Sequence, residues 1–313
     1  MSPPQPVAQP LTQPLAGAAA GNTSAGVVVG TGMAIPTITL HDQTTIPQLG
    51  FGVFQVPPPE TEATVSTALE VGYRHLDTAQ MYGNEAGVGA AIAASGLARD
   101  DLYVTTKLNN GFHRPDDARR TLHESLERLG LDRVDLFLIH WPLPDQYDGD
   151  FVTTWRTLVE LREAGLSTSV GVSNFQPAHL DRIVAETGEV PVINQIEIHP
   201  YFPNEDARAA NARHGIATEA WSPIARGKIA DDPTIREVAD RLGRTPAQVT
   251  LRWHLQRGDI VFPKSMKRER MEENFALFDF ELGEADLATL SSLGRGEEGR
   301  TGPNPDTFNW IPE

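Results

Sequence analysis

Eight short apolar runs punctuate this chain, and helix-period stretches fill the gaps between them. The runs cover 73–78, 102–107, 134–140, 168–173, 190–197, 216–221, 259–263 and 275–280. Strands that alternate with helices return in the same direction, which builds a parallel sheet. Eight such units within 313 residues fit an α/β (β/α)8 barrel. The intervening stretches carry matching signals. Residues 114–130 open with Pro115, Asp116 and Asp117 and close on Gly130, as a helix start and stop should. Residues 60–72, 151–165 and 245–258 read the same way, the last with Thr245 at the cap and Pro246 at the first helical position. A short hairpin over 38–52, with its turn at Asp42–Thr44, precedes the first run. A doubly wound dinucleotide fold would need G-x-G-x-x-G directly after a strand. The nearest match, Gly87–Val88–Gly89, lies inside a helical pattern and has Ile92 in the third position, so it is discounted.

Residues 1–35 differ from the rest. They are rich in Pro, Ala, Gly, Ser and Thr and hold no Lys, Arg, Asp or Glu, which predicts a disordered tail before a barrel over 36–313. The first basic residue is Arg74, so the start lacks the positive region of a secretory signal. The net charge of -16 disfavours binding to nucleic acid or to anionic lipid, and no apolar stretch is long enough to span a bilayer. The absence of cysteine excludes disulfides and thiol chemistry and fits a cytoplasmic protein. Nine scattered histidines give no metal motif.

A polar residue at the C-terminal end of a barrel strand points into the barrel mouth, where sites of this fold sit. Asp77 and Tyr82 lie in GYRHLDTAQMYGNE (72–85), Lys107 ends LYVTTK, and His140 ends VDLFLIH. An acid, a phenol, an amine and an imidazole at the ends of the first three strands suit proton transfer to or from a substrate. A phenol with a pKa of roughly 10 is a poor acid at neutral pH, and a nearby ammonium lowers that value. Lys107 is the candidate cation, Asp77 its partner, and His140 a group to orient a carbonyl oxygen. Taken singly, each has a plainer reading: a turn cap, a rim aromatic, a solvated charge, a core histidine. A second cluster follows the seventh run. Lys264, Lys267, Arg268 and Arg270 open a short helix in an otherwise acidic chain. Cations there oppose the helix dipole, which makes sense where an anion binds. Balance by Glu269, Glu272 and Glu273 is the plainer alternative.

The strings GYRHLDTAQMYGNE, VTTKL, LFLIHWP, GVSNF, NQIEIHP, WSP and PKSMKRERMEENFALFDFEL occur in the order found in the aldo-keto reductases. The chain resembles that family from about residue 36 to 313, and within it the bacterial 2,5-diketo-gluconate reductase-like branch. The resemblance implies NADPH-dependent reduction of an aldehyde or ketone, with Tyr82 as general acid assisted by Lys107, Asp77 and His140. It implies that Lys264, Ser265 and Arg270 contact the 2′-phosphate of NADPH and that Glu273 and Asn274 contact the adenine end. Trp221 offers a stacking face for the nicotinamide, Ser173, Asn174 and Gln195 offer hydrogen bonds to the carboxamide, and Ser222 with the backbone near Ile224 is placed for the pyrophosphate.

Phe54, Asn109, Asn110, Trp141, Phe308 and Trp310 are the candidate substrate pocket. Many relatives carry Trp where this chain has Asn109. The Pro-rich end, 303–312, cannot be a long helix, and in the family such a tail folds over the barrel mouth. The partner implied is a small-molecule carbonyl compound, and the resemblance implies a monomer. Two other functions remain open: a cofactor-binding barrel with negligible turnover, and a hydrolase or isomerase pairing Asp77 with Glu197 or Glu219. Met33, followed by a strand-like segment, is a second candidate start, with the residues before it an artefact of gene prediction. The intact mass of protein from its native host should then show an N-terminus at residue 33, and one at residue 1 or 2 would overturn the idea.

Overall fold

The computed structural model describes residues 35–312. The expected disordered tail lies outside the described residues, except for Ile35, which packs against the core. The elements run in this order: β1 (Thr37–Thr39), β2 (Thr45–Pro47), β3 (Phe51–Gly52), α1 (Pro58–Val71), β4 (His75–Asp77), α2 (Glu85–Ala94), β5 (Tyr103–Leu108), α3 (Pro115–Leu129), β6 (Val134–Ile139), α4 (Phe151–Glu163), β7 (Ser167–Ser173), α5 (Pro177–Thr187), β8 (Ile193–Glu197), α6 (Glu205–His214), β9 (Ala217–Trp221), α7 (Pro233–Leu242), α8 (Pro246–Gln256), β10 (Ile260–Val261), α9 (Arg268–Phe275) and α10 (Glu284–Ser291). Strands β3 to β10 form one eight-stranded parallel sheet, each paired with its sequence neighbour. The seam closes where Gly50 N donates to Val261 O (2.7 Å) and Val261 N donates to Gln48 O (3.0 Å). The result is the expected (β/α)8 barrel.

The strand count matches the expectation, but two assignments change. The first barrel strand is Phe51–Gly52, which the sequence reading placed inside the hairpin. Only two residues long, it shows no alternation to detect. Gly52 is required there, because a Cβ would fall 2.7 Å from the backbone oxygen of Phe262 across the seam. The run at 275–280 is no strand. It is the last residue of α9 followed by a loop, and its apolar residues pack outward, with Leu277 buried and Phe280 under Arg244. The polar cluster therefore follows the second, third and fourth barrel strands, and the basic segment follows the eighth rather than the seventh.

The hairpin β1–β2 plugs the N-terminal end of the barrel. Its Leu40 and Ile46 join Tyr103, Leu136, Leu138, Val192, Ile193 and Ile260 in a buried cluster. Ser169 Oγ donates to Asp42 Oδ2 (2.6 Å) at the hairpin turn, which places the start of β7 far from the mouth. Gly87 and Gly89 serve helix packing. A Cβ on Gly89 would sit 2.5 Å from Leu129 O, so the glycine lets α2 press onto the end of α3. At the opposite end, residues 300–312 form no helix or strand and cross the mouth. They are held by Thr301 N and Oγ1 donating to Glu197 Oε1 (2.6 Å each), Gly302 N donating to Glu197 Oε2 (3.0 Å), and Asn110 Nδ2 donating to Trp310 O (2.9 Å). Among the described residues no helix is long and apolar enough to cross a membrane.

Candidate active site

The four candidate residues converge at the mouth. Register places Asp77 opposite Thr105, two residues before Lys107 on the neighbouring strand. Lys107, with no exposed surface, donates from Nζ to Asp77 Oδ1 (2.6 Å) and to Thr78 O (2.9 Å). Its ammonium lies 5.2 Å from the centroid of the Tyr82 ring, a distance at which cation and π-face attract. The Tyr82 and His140 rings meet edge to face at 5.7 Å. Phe54, half exposed, covers another side of Tyr82 at 5.1 Å.

The loop that carries Tyr82 is fixed from both ends. Asn84 Nδ2 donates to Val53 O and Val56 O, while Asn84 Oδ1 accepts from Thr78 Oγ1 (2.9 Å). Glu85 accepts from Thr106 Oγ1 (2.6 Å) and from Arg128 Nε (2.8 Å). Gln80 Oε1 accepts from Asn109 N (2.8 Å). These bonds tie the segment after β4 to β3, β5 and α3, so Tyr82 stands on a rigid base.

Charge balance in the site follows from burial. Burial opposes the Lys107 charge, but Asp77, Tyr82 and Glu219 outweigh that and hold its ammonium above the ordinary lysine range. Burial pushes the Asp77 carboxyl up, and the Lys107 cation and the Gln195 amide act against it. The expected lowering of the Tyr82 phenol is not the net result. Lys107 does pull it down, but burial, aided by Asp77 and Glu219, leaves it above the usual value. Tyr82 thus keeps its proton at neutral pH. Burial, then Lys107 and His113, keeps His140 neutral by holding its pKa well below the usual range. His140 Nδ1 is buried without a partner.

The next ring of candidates forms a second network. Asn174, in the left-handed conformation that asparagine tolerates (φ 64°), donates from Nδ2 to His140 O (2.9 Å) and to Ser173 Oγ (3.0 Å). Its Oδ1 accepts from Trp221 Nε1 (2.8 Å), which fixes the half-buried indole at the mouth. Ser173 Oγ donates to Gln195 O (2.8 Å). Gln195 is partly committed within the protein. Its Nε2 donates to Asp77 Oδ2 (2.8 Å) and to Glu219 Oε2 (2.9 Å), so both amide hydrogens are committed below the mouth and only its oxygen is left for a ligand. Ser222 also has positive φ (51°), and Ile224 O accepts from Gly227 N.

The basic cluster is split. Arg268 pairs with Glu70 and Glu272, while Lys264, Lys267 and Arg270 stand exposed around the start of α9. Ser265 Oγ accepts from Lys267 N (3.1 Å). Glu273 accepts from Oγ1 of Thr245, the residue that caps α8, and Asn274 is buried beside it. In the pocket set, Trp141 packs on Phe308 (centroids 4.2 Å apart), while Trp310 is 54 % exposed. Asn110 is fully buried; its Nδ2 donates to Trp310 O, its backbone carbonyl accepts from the Tyr147 hydroxyl (2.8 Å), and its Oδ1 has no partner. It anchors the tail through that amide. Asn109 Oδ1 accepts from Gly111 N (3.0 Å). Glu197, one half of a possible carboxylate pair, is spent on the tail and on His199 Nε2 (3.0 Å). The Gln195–Glu219 bridge was not foreseen as part of the tetrad. Its one sequence signal is a polar residue in the interior of each of two apolar runs.

The described part of the chain closely matches known proteins. The description "Aldo/keto reductase family" fits residues 48–295. A methylglyoxal reductase DkgA from Yersinia pestis is 49% identical over 276 residues, covering 87% of this chain and 97% of that protein. An aldo-keto reductase from Mycolicibacterium smegmatis is 48% identical, covering 88% and 99%. Among solved structures, a Gox0644 variant in complex with NADPH superposes with a TM-score of 0.85 at 42% identity, covering 89% of this chain and all of that one.

The ion pair is testable on stability alone. Removing one partner of a buried pair leaves an uncompensated charge, so Lys107→Met should destabilise the fold by about 3–5 kcal/mol in urea unfolding. Asp77→Asn in the same chain should recover part of that loss. A Lys107→Met protein as stable as the parent would contradict the pairing.

Proposed function

The chain belongs to the aldo/keto reductase family, and from that premise we propose that it is an NADPH-dependent reductase of aldehydes and ketones in which Tyr82 delivers the proton. One observation carries this reading: a fully buried ammonium, locked on Asp77, lies beneath the ring of a protonated phenol at the barrel mouth. A structural ion pair has no need of a phenol above it and a neutral imidazole beside it.

The residues fit the cofactor. Lys264, Lys267 and Arg270 offer exposed cations at the start of α9, suited to a phosphate, with Ser265 beside them. Glu273 and Asn274 stand at the same helix for the adenine end. Across the mouth, Trp221 offers a fixed aromatic face, with Ser173, Asn174 and the Gln195 oxygen around it and Ser222 and Ile224 on the following loop. An arginine at 270 favours NADPH over NADH. When bound, NADPH supplies a hydride for the carbonyl carbon.

The protein's own groups then handle the oxygen. His140, neutral and beside Tyr82, orients the carbonyl oxygen without competing as an acid. As the carbon is reduced, that oxygen becomes an alkoxide, far more basic than a phenolate. Transfer of the Tyr82 proton is therefore favourable even from a phenol of raised pKa. The Lys107 ammonium stabilises the phenolate left behind, and Asp77 holds the ammonium in place. Phe54, Trp141 and Phe308 give the mouth apolar walls, and the tail narrows it, which suits small aldehydes and keto compounds. The relatives named methylglyoxal reductase put a small 2-oxoaldehyde first in a substrate panel.

Purified protein mixed with such a panel should consume NADPH well faster than NADH. Tyr82→Phe should cut kcat by about 10²–10⁴-fold, the usual worth of a positioned acid, while NADPH binding stays intact by fluorescence. A fully active Tyr82→Phe protein would remove the assigned role. NADPH binding without turnover on any carbonyl would favour a cofactor-binding barrel instead.

A further inference from the structure

The mechanism above leaves unused a buried carboxyl that lies against its ion pair. Glu219 sits in the middle of β9 with no exposed surface, one layer below the Asp77–Lys107 pair. Register pairs it with Gln195 on β8 and Ile260 on β10. The Gln195 amide donates one hydrogen to Glu219 Oε2 (2.9 Å) and the other to Asp77 Oδ2 (2.8 Å). Glu219 Oε1 has no hydrogen-bond partner. His75 Nε2, at 3.6 Å, is too far to donate to it effectively. An ionised oxygen buried without a donor carries its whole desolvation cost, so the neutral acid is the favoured form.

We propose that Glu219 is a positioning residue for the proton-donating centre: as a neutral acid it fixes the Gln195 amide, which holds Asp77 Oδ2 and leaves Asp77 Oδ1 to grip Lys107. This rests on the reductase reading above. A lone carboxyl would not need an amide bridge to a second carboxylate, and the bridge serves only the side of Asp77 that faces away from Lys107.

The groups around Glu219 define its pH behaviour. His75 and Asp77 face it from β4, Tyr82 from the loop after β4, and Tyr103 and Lys107 from β5, while Ile260 on β10 cannot titrate. Burial keeps His75 neutral by lowering it to about 3. Burial, then Asp77, pushes Glu219 up to about 8. The folded chain therefore keeps a proton that the unfolded chain releases above the ordinary glutamate range. That contribution to stability is lost as pH rises through about 8. Ionisation also adds a negative charge near Tyr82, which tightens the hold on its proton and slows its transfer.

The test is kcat against pH for the full chain, with NADPH and methylglyoxal, in the parent, Glu219→Leu and Glu219→Gln. Glu219→Leu should lower kcat by about tenfold or more, as misplacement of a reacting group does, with KM changed less than about twofold. Glu219→Gln keeps the acceptor for Gln195 and should recover the kcat that Glu219→Leu loses. Unable to ionise, it should also lose the alkaline decline near pH 8 expected of the parent. A parent-like alkaline limb in Glu219→Gln would overturn the proposal, and if Glu219→Leu fails to fold that comparison decides alone. Turnover by the parent keeps the reductase reading intact in that event. No turnover by the parent would overturn both.

Discussion

The Lys107–Asp77 ion pair is the interaction on which the mouth of this barrel depends. Both groups are buried, so each is costly alone and tolerable only together. That mutual dependence fixes the height of β4 against β5 at the point where the chain turns up to Tyr82. Further polar groups are arranged around it: Thr78 O and Gln195 Nε2 complete the hydrogen bonds of the pair, and Glu219 takes the second hydrogen of the Gln195 amide. An apolar pair of the same volume could pack this core, but it would leave a phenol with no cation beneath it.

Around that centre the barrel separates rigidity from choice. The Tyr82 loop is tied down by Asn84 and Glu85, and Asn174 locks Trp221 to the backbone of His140. The candidate substrate walls, Phe54, Phe308 and Trp310, belong to loops and to the C-terminal segment. That segment reaches the mouth through two fastenings, Glu197 with Thr301 and Gly302, and Asn110 with Trp310. Hydrogen bonds from His199, Thr301 and Gly302 overcome burial and hold Glu197 below the ordinary carboxylate range, so the fastening keeps its charge at neutral pH. The candidate catalytic groups thereby sit on strand ends and on a loop tied to them, and the candidate substrate walls on less constrained segments.

Much of this was readable in the sequence because it is local. Asp77, Lys107 and His140 each end an apolar run, and a strand's end is a short-range signal. The helix limits at Gly130 and Thr245 were equally plain. What failed was length and distance. The strand at Phe51–Gly52 is too short to alternate, and its glycine is set by a contact with Phe262 far along the chain. The apolar residues of 275–280 suggested a strand, yet they cover α8 from outside. That Asp77 and Glu219 claim the amide hydrogens of Gln195 escaped too, because nothing local in the sequence shows it. The sign of the Tyr82 shift also escaped, since the lysine was visible in the sequence and the depth of burial was not.

The central claim is that Asp77 and Lys107 act as one unit beneath Tyr82. A double-mutant cycle on kcat, using Asp77→Asn, Lys107→Met and the pair together in folded protein, tests it most directly. Groups that work as a unit are strongly non-additive, so the double variant should be about as slow as the worse single one, each about 10²-fold or more below the parent. Losses that multiply across the cycle would show two independent contributions and contradict the account.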